Sequence, residues 1–139
     1  MNTILLATDG SMYSEHATEM AKTYLKAWPE ARLVVLYVTA KDHYAYDFIP
    51  DVVDEAEKEI TERIKTTTEE QFAGFQNNVH FLHKSGHPSK TICDVAKDQD
   101  VDLIILGSHG RGIIDRALLG SVAHGVLQRA ERPVLVVKK

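Results

Sequence analysis

The chain has 139 residues, which suits one domain (1–139) with a real core, and its apolar share of 44% against 26% charged is an ordinary globular balance. A formal net charge of −4 argues against a general nucleic-acid binder, and no apolar run approaches the ~20 residues of a membrane span. Cys93 is the only cysteine, so no internal disulfide can form; with no basic region ahead of the first apolar run to suggest a secretion signal, the expected location is cytoplasmic.

Thr3 to Thr8 reads as a buried strand: short, apolar and without alternation. Asp9-Gly10-Ser11 breaks it. From Ser14 onward, Ala17, Met20, Ala21, Tyr24, Leu25 and Trp28 recur at helical spacing until Pro29. Arg32 to Val38 is a second strand, and Thr39 to Pro50 a loop carrying Tyr44, Tyr46 and Phe48. Val53, Ala56, Ile60, Ile64, Phe72 and Phe75 mark a long amphipathic helix, in which Thr66-Thr67-Thr68 lowers helical propensity. Val79 to His83 is a third strand. Gly86-His87-Pro88 is a turn leading into a helix with Ile92, Val95 and Ala96 on its apolar face, where Cys93 reads as a structural thiol. Leu103 to Leu106 and Val134 to Val137 are the fourth and fifth strands, with a helix from Ser121 to Ala130 between them. Strict β-α alternation with continuous apolar strands predicts an α/β fold with a parallel sheet and helices on both faces.

The segment between the fourth strand and the last helix carries the chemistry. Gly107-Ser-His-Gly110-Arg111 opens a loop that closes at Gly120-Ser121. A strand running into glycines and then a helix start is a phosphate-binding geometry: backbone N–H groups turn toward one point, and the helix N-terminus adds positive partial charge. The spacing excludes two better-known loops. Ile113-Ile114 stand where a Walker A motif needs Lys-Ser/Thr, and Asp115 stands where a dinucleotide fingerprint needs its third glycine.

Gly107-x-x-Gly110-x9-Gly120-Ser121 resembles the nucleotide-binding signature of the universal stress proteins, in their ATP-binding branch. Ile4-Leu-Leu-Ala-Thr-Asp9-Gly-Ser11 and Arg132-Pro133-Val-Leu-Val-Val137-Lys138 extend the resemblance over essentially the whole chain. It implies an open, Rossmann-like five-stranded sheet in the order 3-2-1-4-5. In such a sheet ligands sit beyond the carboxyl ends of the strands where the order reverses, here between the first and fourth. The end of the first strand at Asp9 and the end of the fourth at Gly107 then share one crevice.

The candidate nucleotide-binding residues follow from these motifs. Ala7 and Thr8 can line the pocket through backbone groups. Asp9 is an acceptor for ribose or base, or else a cap for the first helix, with Ser11 a rival for that role. Val38 resembles the family position whose backbone reads the adenine edge, and reads equally well as a core valine; Tyr37 reads as packing. Gly107, Gly110, Gly120 and Ser121 form the phosphate and ribose cradle, and Val122 offers its N–H at the helix start. Ser108, His109, Arg111 and Arg116 are candidate partners of phosphate, or solvated loop residues. A branched side chain at Gly120 is expected to fill space where backbone must approach phosphate, and to strain the backbone wherever φ is positive. Gly125, inside the last helix, marks close packing.

His80 and His83 read as exposed strand residues, and the acidic stretch from Asp42 to Glu57 as solvated loop and helix start. No histidine, cysteine or carboxylate set has zinc spacing, so no metal site is assigned. Ser11 and Ser121 have no evident His-Asp partner, and no Walker B carboxylate is visible, so no catalytic residue is assigned and any ATP hydrolysis is expected to be slow. The resulting expectation is a module that binds ATP, or ADP or AMP, with Mg²⁺ carried by the nucleotide. A nucleotide-free interaction scaffold and a slow ATPase are the alternatives. The apolar edge Pro133, Val134, Leu135, Val136 and Val137, with no internal charge, is expected to join two copies as a homodimer, and Leu135→Pro is the probe that the sequence offers. No nucleic-acid or membrane partner is expected.

Overall fold

The computed structural model describes residues 1–11, 14–40, 50–109 and 119–138. Five strands, β1 (Thr3–Thr8), β2 (Arg32–Thr39), β3 (Val79–Ser85), β4 (Leu103–Gly107) and β5 (Val134–Val137), alternate with α1 (Glu15–Ala27), α2 (Pro50–Gln71), α3 (Pro88–Asp98) and α4 (Ser121–Arg129). The strands form one parallel sheet in the order β3-β2-β1-β4-β5.

Continuous apolar strands need cover on both faces, and the core divides accordingly. Leu5, Ala7, Val34, Leu36, Ile104 and Leu106 point to one side, against Ile92, Val95 and Ala96 of α3 and Ala123 and Val126 of α4. Ile4, Leu6, Leu33, Val35 and Ile105 point to the other, against Ala17, Ala21 and Leu25 of α1 and Phe72 just beyond α2. Each fully buried leucine or isoleucine contributes roughly 1.5–3 kcal/mol, so β1, the central strand, and its neighbours β2 and β4 anchor the sheet.

Helix boundaries follow local chemistry. Proline starts α3 at its first position, where no amide donor is needed, and the His87 ring accepts from the Lys90 N–H at 3.4 Å as its cap. The threonine run does not interrupt α2. Thr68 is buried and its hydroxyl donates to the Ile64 carbonyl at 2.8 Å, which absorbs the polar group inside the helix. Gly125 marks close packing as expected: a Cβ there would stand 2.5 Å from Ser89 Oγ, so α3 and α4 meet on a glycine. Cys93 is half-buried beside this contact. Burial pushes its thiol above its usual range, against an opposing pull from Arg129, which suits a structural rather than a reactive group.

At the amino end of the sheet, Asp102 Oδ2 accepts from the backbone N–H groups of Asn2 (2.7 Å) and Thr3 (2.9 Å), tying β1 to the start of β4. The Thr3 and Asn2 N–H bonds hold the Asp102 carboxyl below its ordinary range. A depressed folded-state pKa adds stability at neutral pH that is lost as pH falls through that value, so this contribution disappears at the acid end of the carboxylate range. Asp102→Asn is expected to lower stability at pH 7 by about 1 kcal/mol, less than a buried charged hydrogen bond because the group is exposed. The gap between variant and parent should close in acid, and urea denaturation at pH 7 and pH 3 measures both.

Candidate functional site

The chain leaves β1 through a tight turn built from its own side chains. Gly10 adopts φ 75°, a left-handed conformation that favours glycine. The Gly10 N–H donates to Thr8 Oγ1 at 3.1 Å, and Asp9 Oδ1 accepts from both Ser11 N (2.9 Å) and Ser11 Oγ (2.6 Å). Asp9 is therefore not the cap of α1. That position falls to Ser14, whose hydroxyl donates instead to the Ser11 carbonyl at 2.8 Å.

The diverted Gly10 amide changes what β2 presents. In this parallel ladder the even-numbered residues of β2 face β1, as Arg32 N donating to Asn2 O at 2.8 Å shows, and the odd-numbered ones face β3. The next donor due to the Val38 carbonyl is Gly10 N, which has turned to Thr8. The Val38 carbonyl is thus aimed past the end of β1.

Across the crevice, β4 ends at Gly107. The Ser108 N–H donates to the Val137 carbonyl at 3.0 Å, and the Ser108 carbonyl accepts from Gly120 N at 2.8 Å, which draws the start of α4 against the end of β4. Gly120 caps α4 with φ −62° and ψ 155°, so positive φ plays no part there. Its glycine is required by contact: a Cβ would stand 2.8 Å from the Ser108 carbonyl oxygen. Close backbone approach leaves the first amides of α4, at Ser121, Val122 and Ala123, without helical acceptors and at the crevice.

These strand ends enclose a cleft of about 440 Å³, within the range of small-molecule sites. Every sequence-assigned residue among the described ones lines it: Ala7, Thr8, Asp9, Val38, Gly107, Ser108, His109, Gly120, Ser121 and Val122. Gly110, Arg111 and Arg116 lie outside the described residues. Ser108 is buried and its hydroxyl hydrogen-bonds His109 Nδ1 at 2.9 Å. Among the described residues, no group of three or more His, Cys, Asp or Glu is placed to hold a metal ion.

The cleft also takes walls that the sequence did not announce. Tyr37, Thr39 and Ala40 come from the end of β2, Pro88 and Ile92 from the start of α3, and Glu57 and Ile60 from α2. Glu57 thus belongs to the cleft rather than to a solvated helix start. His83, read from the sequence as exposed, is half-buried: its ring stacks on Tyr37 at 5.4 Å and its Nε2 hydrogen-bonds Thr39 Oγ1 at 2.7 Å. The turn Gly86-His87-Pro88 was the one available signal for the α3 wall. Nothing in the α2 periodicity marks Glu57, because only packing brings it over the cleft.

Residues 1–138 match the sequence profile of the Universal stress protein family. The chain belongs to this family. A universal stress protein of Thermus aquaticus is 34% identical over 98% of this chain and 98% of its own length. The solved structure of universal stress protein UspA from Lactobacillus plantarum superposes with a TM-score of 0.86 at 26% identity, covering 98% of this chain and 97% of that one. A universal stress protein family protein from Arabidopsis thaliana, solved with AMP bound, shares the fold with a TM-score of 0.69 at 18% identity, covering 100% of this chain and 92% of that one. Five parallel strands in the order 3-2-1-4-5 with helices on both faces are thus the family architecture, and nucleotides occupy at least one member of it.

Proposed function

We propose that this universal stress protein is a cytoplasmic ATP-binding regulatory module, in which nucleotide changes the surface offered to a partner. The observation that carries the reading is the convergence, at one switch-point cleft, of the α4 amino-terminal amides, the Gly120 close approach and the outward Val38 carbonyl. The first two suit phosphate. The carbonyl suits the exocyclic amine of adenine and opposes the O6 acceptor of guanine. The Asp9 carboxylate, an acceptor at neutral pH, suits ribose. Mg²⁺ would be held by the triphosphate and water. The AMP-bound Arabidopsis relative supports an adenine nucleotide in this fold.

No nucleophile or positioned base is assigned, so the nucleotide acts as a ligand rather than as a substrate turned over quickly. The protein acts as a homodimer joined at Pro133 to Val137. All four residues of β5 are only half-buried, which leaves apolar surface that a second copy would cover.

The test is thermal denaturation with and without MgATP, with mass spectrometry of any nucleotide that co-purifies. At one hundred times the dissociation constant, ATP is expected to stabilise the protein by about 2.7 kcal/mol, several degrees in Tm. No shift with ATP, ADP or AMP at millimolar concentration would replace this reading with that of a nucleotide-free scaffold.

A further inference from the structure

Thr39, the last residue of β2, is held from the β3 side only. The register of β2 with β1 stops at the pair Thr8 and Tyr37, while its register with β3 continues through Val38 with Lys84 and Thr39 with Ser85. By the same alternation the Val38 N–H closes the β1 ladder on the Thr8 carbonyl, and beyond that bond the strand is held through Thr39 by β3. The Thr39 carbonyl accepts from Gly86 N at 2.9 Å, and the Thr39 hydroxyl hydrogen-bonds His83 Nε2 at 2.7 Å. The His83 ring is itself held by stacking on Tyr37, with ring planes 20° apart. Thr39 is 8% exposed, so water competes poorly for its hydroxyl.

We infer that His83 is a positioning residue for base recognition: by gripping Thr39 from β3, it aims the Val38 carbonyl at the base edge. This inference rests on the adenine-nucleotide reading of the cleft. His83 does not line the cleft, so its effect on a ligand runs through β2. The effect should fall on the base and not on the phosphates, because Gly107, Gly120, Ser121 and Val122 belong to β4 and the start of α4 and, among the described residues, share no hydrogen bond with His83.

Titration calorimetry with MgATP and MgGTP on the unmodified chain, His83→Ala, His83→Gln and Thr39→Val tests it. Loss of a single neutral hydrogen bond predicts a fall in ATP affinity of about three- to tenfold for His83→Ala. GTP affinity should hold or rise, because the carbonyl opposes the guanine O6, so the ATP-to-GTP preference narrows by at least the same factor. Thr39→Val, which removes the hydroxyl from the other end of the contact, should reproduce the loss even if His83→Ala fails to fold. His83→Gln keeps a hydrogen-bonding group near the Nε2 position and should recover most of the preference. Equal losses for both nucleotides, or an unchanged preference in Thr39→Val, would overturn the inference while leaving the adenine-nucleotide reading intact. An unmodified chain that binds neither nucleotide would overturn both.

Discussion

Gly120→Val is expected to weaken ATP binding by at least about thirtyfold, roughly 2 kcal/mol, while leaving a folded protein of lower stability. The cause is local. A Cβ at this position would stand 2.8 Å from the Ser108 carbonyl oxygen and 3.3 Å from the His109 Cα, and both neighbours are backbone that cannot rotate away. Relief requires the start of α4 to move off the end of β4, breaking the 2.8 Å bond from Gly120 N to Ser108 O and withdrawing the helix amides from the cleft. Overpacking of this kind costs about 1–3 kcal/mol of stability. Because the backbone at Gly120 has φ −62°, an ordinary L residue could adopt it; contact alone forbids one. Gly120→Ala should therefore already carry most of the loss. Fluorescence titration with a labelled ATP analogue, beside a circular dichroism melt, separates binding from folding. An unchanged affinity in folded Gly120→Val would remove Gly120 from the site.

Val136→Pro is expected to convert a dimer at ~10 μM into a monomer that keeps its fold, since a proline is tolerated where a strand's N–H faces away from its sheet. The choice of residue comes from the ladder. Ile104 N donates to the Pro133 carbonyl and Ser108 N to the Val137 carbonyl, so the odd-numbered residues of β5 direct their backbone groups at β4. In a parallel strand each residue sends its N–H and C=O to the same side, and neighbours alternate. Val134 and Val136 therefore hold the outward donors. Leu135→Pro, the probe that the sequence alone suggested, would instead cut the intramolecular ladder beside Ile105 and is expected to unfold the sheet edge. For the same reason Pro133 does not blunt the outer edge, because its missing donor lies on the β4 side. Sedimentation velocity decides the matter. A monomer for the unmodified chain, or a dimer that survives Val136→Pro in a folded protein, would sink this interface.

Much of the architecture is legible along the chain. The apolar runs at Ile4–Ala7, Leu33–Val38 and Leu103–Leu106 announce strands buried on both sides, and the helices on the two faces follow from that alone. The order 3-2-1-4-5 came from the resemblance rather than from periodicity. Once it is given, Asp9 and Gly107 have to meet, because both stand at carboxyl ends of neighbouring central strands. The glycine spacing then names the cradle, and every named residue among the described ones lines the cleft.

Other features were decided only in three dimensions. Side-chain alternation tells which face of the sheet a residue serves, but not which neighbouring strand its N–H and C=O address within the sheet. That second direction depends on register, and it assigns the outward donors of β5 to Val134 and Val136 and aims the Val38 carbonyl past β1. Gly120 reads in sequence as a close approach of backbone to phosphate; in the fold the contact that excludes a Cβ is with the Ser108 backbone of β4's end. His83 and Glu57 look solvent-facing in a one-dimensional pattern, since exposure at a sheet edge or a helix end depends on what folds over it. The sequence determined the elements and their faces through local chemistry, and named residues that line the cleft. The tertiary structure decided the in-plane bonding and the contacts among residues distant along the chain, because those depend on which strand lies beside which and at what register.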